Sequence, residues 1–187
     1  MVPVPERAEM QDCNLISTQH FLPSQIYILE RAVNVSEDII SDYFRLTTDY
    51  WIRNPYEVKT LKDAGDVDIP EGVYAHLLKY GKVLHEKDSG TDNRHLYRIL
   101  VYDHRILEVT GGSEPLLWPF LVYVMTHELV HITRFSKFEC MVSQEDKTAE
   151  EEKVHELTNE ILGSVPIAKI GDVIDFFTGK QADKLHV

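Results

Sequence analysis

The sequence predicts an α+β domain, mostly helical, with a small antiparallel sheet or hairpin beside a buried helix. Three observations carry this. Apolar residues recur at helical spacing over most of the chain. Two β-rich runs, in "HLYRILVYDHRILEVT", flank Asp103-His104 as a hairpin would. The stretch "FLVYVMTHELVHITRF", residues 120–135, is apolar almost all the way round, which marks a helix enclosed by its own domain. With 187 residues, 43% of them hydrophobic, the chain can bury such a core without staples. A single domain over 23–187 is expected, preceded by an irregular segment over 1–22.

The elements follow in order. "PSQIYILERAV", from Pro23 to Val33, reads as a short helix. Ser36 then stands as the N-cap of a second one, with Glu37 and Asp38 in the first turn where the helix dipole favours acids. Ile39, Ile40, Tyr43, Phe44 and Thr47 continue it at helical spacing. After the break at Asn54-Pro55, "PYEVKTLKDAG" reads as another helical piece ending at Gly65. "DVDIPEG" is a loop, and "GVYAHLLKYGKVLHEK" a further helix with Tyr74, Leu77, Leu78 and Val83 inward. "DSGTDN", residues 88–93, is the clearest turn cluster, and the hairpin is expected over 95–109. "GGSEP" ends that unit and starts the buried helix. A polar stretch, "SQEDKTAEEE", leads into a helix from about Thr148 to Leu162, stopped by Gly163 and Pro166. The amphipathic tail "IAKIGDVIDFFTGK" is expected to pack back on the body.

Composition narrows the function classes. A net charge of −12, from 31 acidic and 19 basic residues, repels phosphate backbones, and no basic patch overrides it, so nucleic acid is not an expected partner. The longest apolar run, Pro115 to Met125, is too short to cross a bilayer. At the N-terminus, "MVPVPERAEMQDC" has prolines and charges where a signal peptide needs an apolar region. Cys13 and Cys140 make no disulfide framework and suit a reducing compartment. A cytoplasmic protein without a membrane partner is the expectation.

Chemistry concentrates in "HELVH", residues 127–131. On a helix, His127 and His131 are one turn plus about 40° apart, so both imidazoles project from one side. Two nitrogens so placed can hold one Zn²⁺ at about 2.0–2.1 Å each. Glu128 lies about 100° around from His127, where it can reach a water on the metal and act as general base. Random shuffling of this composition would produce the pattern roughly once in 25 such chains, so its setting matters more than its letters. Two imidazoles and a carboxylate on a buried helix are costly to desolvate without a partner, and a metal resolves that cost. Against this stands the plain alternative of two core histidines satisfied by backbone carbonyls.

A zinc site wants a third protein ligand and an open position. The acid-rich helix "AEEEKVHELTNEIL" can supply it. Its apolar face is Val154, Leu157, Ile161 and Leu162, and Glu151 and His155 sit at the edge of that face at i and i+4. Glu152 points nearly opposite, toward water. Glu151 is the first choice as ligand. His155 can orient a ligand or bind the metal itself, and Glu150 and Glu152 remain further candidates.

"HELVH" followed by Glu-x-x-Val-His resembles the zincin metallopeptidases, in the branch whose third ligand is a glutamate on a later helix, written Glu-x-x-Ala-Asp or a near variant. The resemblance covers residues 124–162 and implies His127, His131 and Glu151 as zinc ligands, Glu128 as base, and hydrolysis of a peptide or amide bond. Val154 and His155 stand where a small residue and an aspartate are usual. The resemblance further implies an edge strand above the motif helix with which a peptide or protein substrate pairs, and the 95–109 hairpin is the expected strand. Arg134, His104 and Tyr102 are candidate oxyanion stabilisers. Cys140 is a candidate silencing ligand, or a plain buried thiol.

Two rivals differ in class. Glu128-x-x-His131 and Glu152-x-x-His155 form the paired signature of di-iron carboxylate bundles, although the gap between them has no room for the further helix such bundles need. The other is a non-catalytic zincin-like protein whose metal only holds the fold or a partner.

Overall fold

In the computed structural model, which describes residues 19–64, 72–83, 94–138 and 146–179, the first element is one long helix, α1 (Pro23–Phe44). Two helices were expected here. Nothing between Val33 and Ser36 stops the first, and Ser36 does not cap. It is buried at the crossing with the motif helix, where its hydroxyl donates to the Val122 carbonyl (3.3 Å) and accepts from Thr126 Oγ1 (3.1 Å). A small side chain that satisfies its own polar atom lets two backbones approach closely, and that outweighs its capping preference. Arg45 ends α1 in the left-handed region (φ 51°), with the Leu46 amide donating to the Ser41 carbonyl at 2.9 Å, so Thr47 falls beyond the helix.

After a single turn, α2 (Tyr50–Arg53), the chain enters the sheet. Its strands are β1 (Tyr56–Thr60), β2 (Ala75–Val83) and β3 (Arg94–Val101), with a turn of helix, α3 (Leu61–Ala64), after β1. The order is β1-β3-β2: β1 runs parallel to β3 in the register Tyr56↔Tyr97, and β2 antiparallel in the register Ala75↔Val101. The helices expected over 55–65 and 72–87 are therefore mainly strands, and the sheet is mixed rather than antiparallel. Apolar positions such as Tyr74, Leu77 and Leu78 fit a helical period locally, but pairing on either side of β3 decides their state. Within β3 the period of two is clear. Tyr97, Ile99 and Val101 enter the main core, while Leu100 packs with Leu61 and Tyr102 in a second cluster.

The expected hairpin at 95–109 is also corrected. Its first half is β3, but its second half is a helix, α4 (Asp103–Thr110). Ile106, Leu107 and Thr110 are buried at helical spacing, and Asp103 in the first turn accepts the Phe21 amide at 3.1 Å. Because β2 already occupies one side of β3 and β1 the other, β3 has no free side for 103–109 to pair with as a hairpin.

Gly111 ends α4 in the left-handed region (φ 59°), a conformation a side chain would strain, and the chain turns into α5 (Glu114–Phe138). This is the expected motif helix. By length and composition it is apolar enough to cross a membrane, yet most of that surface is buried inside the domain against α1, β2 and the helices that follow. The last two helices match expectation closely: α6 (Asp146–Gly163) and the amphipathic α7 (Ile170–Phe177), whose Ile170 and Val173 are buried as it packs on α5 and α6. The chain is thus a mostly helical α+β domain with a three-stranded sheet. The turn cluster at 88–93, most of the 66–72 loop and of the 1–22 segment, Cys13 and Cys140 lie outside the described residues.

Candidate metal centre

One turn of α5 presents His127 and His131 with ring centroids 4.9 Å apart. Across from them α6 brings in Glu151, whose carboxylate spans the pair: Oε2 lies 3.4 Å from His127 Nε2 and Oε1 3.3 Å from His131 Nε2. Each of the three residues offers a ligand atom within 4.8 Å of the other two. Donor atoms this close, one from each residue, can converge on a single ion. Two imidazoles and a carboxylate are also a donor set that zinc accepts. The residues fit a divalent cation.

Electrostatics agree. Burial pushes His127 down to about 4, helped by the neighbouring His131 and His155 and opposed by Glu151, so this imidazole is neutral, as a ligand must be. For His131 burial acts downward too, but the hydrogen bond to Glu151 and the charges of Glu128, Glu151 and Glu150 outweigh it and raise the value. Glu151 is held well below the usual carboxylate range by its bonds to the two histidines. Without a cation, a proton on His131 neutralises Glu151. The Nδ1 atoms of both rings are buried and have no partner among the described residues, so it is the Nε2 edges that face the shared point.

Glu128 is buried beside this set, only 7% exposed, and burial pushes its carboxyl up to about 7. A carboxyl poised there can take a proton and return it near neutral pH. It shares with the triad a cleft of about 730 Å³, roofed on one side by the chain from Gly72 to Leu77. That roof is the start of β2, an edge of the sheet. Tyr102 donates its amide to the Tyr74 carbonyl at 2.9 Å, and the antiparallel register then alternates, so the backbone groups of Ala75 and Leu77 face away from β3 toward the open edge. The edge strand over the motif helix is therefore β2, not the 95–109 segment.

His155 stands next to the triad rather than in it. Its ring centroid is 4.5 Å from that of His127, and its Nδ1 is 3.2 Å from the Tyr123 hydroxyl. Tyr123 gives its single proton to Asn159 Oδ1 at 3.0 Å, so it can only accept from His155. His155 Nδ1 carries the hydrogen, and Nε2 is left with its lone pair beside the cleft that the ring lines. Sequence reasoning missed Tyr123 and Asn159, although Tyr123 lies four residues before His127 and so on the same face of α5.

Other expectations are resolved by position. Glu150 is engaged by Arg134, both of whose bonds to it are 2.7 Å, so neither is a ligand or an oxyanion donor here. Glu152 is exposed and stands outside the group that can hold a metal, so the paired Glu-x-x-His arrangement of a di-iron bundle is not assembled. Tyr102 is fully buried and does not line the cleft, nor does His104. Cys140 lies outside the described residues.

Compared with protein-family models, with curated proteins and with solved structures, the chain matches none.

Proposed function

We propose that the chain is a zinc-dependent hydrolase, a metallopeptidase of the zincin type that cleaves a peptide or amide bond. The observation that carries the reading is the conjunction of a His127, His131 and Glu151 cluster with a buried carboxyl, Glu128, on the same cleft. His127, His131 and Glu151 would hold Zn²⁺, which when bound polarises a carbonyl and makes water acidic enough to attack at neutral pH.

The chain's own residues account for the rest. Glu128, raised to about 7, accepts the proton of the attacking water and delivers it to the departing amine. An extended substrate adds as a strand along β2, where Ala75 and Leu77 offer outward backbone groups and the triad lies below. His155 presents an Nε2 lone pair to the cleft and burial favours its neutral form, so it can accept a hydrogen bond from the substrate. The substrate is a peptide or protein, since a net charge of −12 repels nucleic acid. A reducing, cytoplasmic setting suits a chain with two widely spaced cysteines.

The test compares wild type with Glu128→Gln by metal analysis and a peptide-cleavage screen. The expected result is one zinc per chain in both and cleavage in wild type only. Cleavage that survives the substitution removes Glu128 as base. Zinc held without any cleavage favours a metal-stabilised binding domain, and no zinc in either protein ends the reading.

A further inference from the structure

The cleft has an aromatic flank that the hydrolytic residues do not use. It begins at His127 and runs outward through His155, Tyr123 and Phe177 to Tyr74. Tyr123 and Phe177 are stacked face to face, with centroids 4.1 Å apart and planes 6° from parallel. Tyr74 meets Phe177 edge-on at 5.6 Å. These rings come from four separate elements: α5, α6, α7 and the residue before β2. All of them line the cleft.

Phe176 and Phe177 are neighbours on α7, about 100° apart, and both pack on the core. Val173, Phe176 and the buried Phe120 close the core, with Phe176 meeting Phe120 at 5.8 Å and Tyr74 at 6.2 Å. Phe177 meets Phe120 as well, at 5.2 Å, and is equally only partly buried, but of the two it alone lines the cleft. A partly exposed phenylalanine in a concavity, stacked on a tyrosine and backed by a helix, is an apolar surface that a ligand side chain would remove from water. Such a surface is concave, preformed and adjacent to the point where Glu128 and the triad meet.

We infer that Phe177, with Tyr123 and Tyr74, forms the side-chain pocket of this cleft, and that the substrate is a peptide carrying an aromatic or other bulky apolar residue next to the bond that is cut. The inference rests on the proposed hydrolytic reading as far as a bond is cut, but the pocket itself is defined by geometry alone. On this view α7 is the specificity element: it contributes no metal ligand and no proton carrier, only the wall.

The experiment uses the zinc-loaded full chain and two dipeptide hydroxamates that differ only in carrying phenylalanine or alanine beside the hydroxamate. Binding is measured by calorimetry, so no turnover is required. Wild type is expected to bind the phenylalanine compound at least about tenfold more tightly, as a well-formed apolar pocket does for a larger side chain. In Phe177→Ala the preference should fall to within about threefold, with zinc content unchanged. If Phe177→Ala fails to fold, Phe177→Leu keeps the helix packing and should still lose part of the preference. Equal binding of both compounds by wild type, a preference untouched by either substitution, or no binding by the zinc-loaded chain overturns the inference. Cleavage of peptides by wild type without an aromatic preference sinks the pocket and spares the hydrolase. The converse, an aromatic preference in binding without cleavage of any peptide, sinks the hydrolase and leaves the pocket standing.

Discussion

Arg134 holds Glu150 through two parallel bonds of 2.7 Å, Nε to Oε1 and Nη2 to Oε2, and both side chains are largely shielded from solvent. Glu150 directly precedes Glu151, so this fork ties α6 to the helix that carries the histidines one residue away from the third member of the candidate triad. The glutamate that was a weaker ligand candidate is thus a strut for the better one.

Replacing Arg134 with Ala should leave a largely buried Glu150 without this partner and cost about 2–3 kcal/mol of stability. Zinc affinity should fall roughly tenfold or more, the usual effect of losing a group that orients a ligand. Arg134→Lys keeps the charge but not the fork and should fall between. Chemical denaturation and a competitive zinc titration read both effects. Unchanged zinc affinity in a destabilised Arg134→Ala protein would show that the strut serves the fold alone.

Glu128 should be expensive for the metal-free fold. Its carboxyl is raised from an ordinary value near 4.5 to about 7 by burial, so the contribution of this group is favourable below the ordinary value and is lost as pH rises through about 7. Glu128→Gln removes that cost. In zinc-free protein the substitution should stabilise by about 3 kcal/mol at pH 8 and by less than about 1 kcal/mol at pH 5, as upper estimates from the size of the shift. Urea unfolding at the two pH values decides it, and an equal effect at both would mean that Glu128 is not charged in a buried site.

Zinc affinity should depend on pH through His131. Its raised value means that below it a proton must leave before a cation can bind, so affinity should drop by about tenfold per pH unit on the acid side and level off above. His127, held down to about 4, adds a second proton only in stronger acid. For the zinc-free chain the sign is the reverse at the upper end: the His131–Glu151 contact stabilises between the ordinary carboxylate range and the raised His131 value. It weakens above as His131 loses its proton and, in acid, as Glu151 gains one. Zinc titrations in two buffers of different ionisation enthalpy would count the released proton. Release of none near pH 6 would contradict this arrangement.

The motif helix, the acid-rich helix behind it and the amphipathic last helix were all legible in the residues, because an i,i+4 relation is a property of one helix and needs no partner. His127 and His131 share a face for that reason alone. Glu151 stood out for a related one, since the apolar stripe of α6 had to turn inward and carried its edge residues with it. The sheet was not legible. Val58, Leu77 and Ile99 belong to segments whose local pattern fits helix or strand, and a strand is settled only by what lies beside it. Once β3 acquired β1 and β2 as neighbours, it had no free side for the segment after Tyr102, which forms α4.

By itself, the sequence determined that His127 and His131 share one face of a buried helix and that a downstream acidic helix offers the third candidate, because those follow from spacing along one chain. Only the tertiary structure decided that Glu151 faces both imidazoles while His155 turns to Tyr123, that β2 forms the rim of the cleft, and that Phe177 reaches it from α7. Those are relations between elements, fixed by how α5, α6, α7 and the sheet pack around a shared core, and no periodicity within a single segment encodes them.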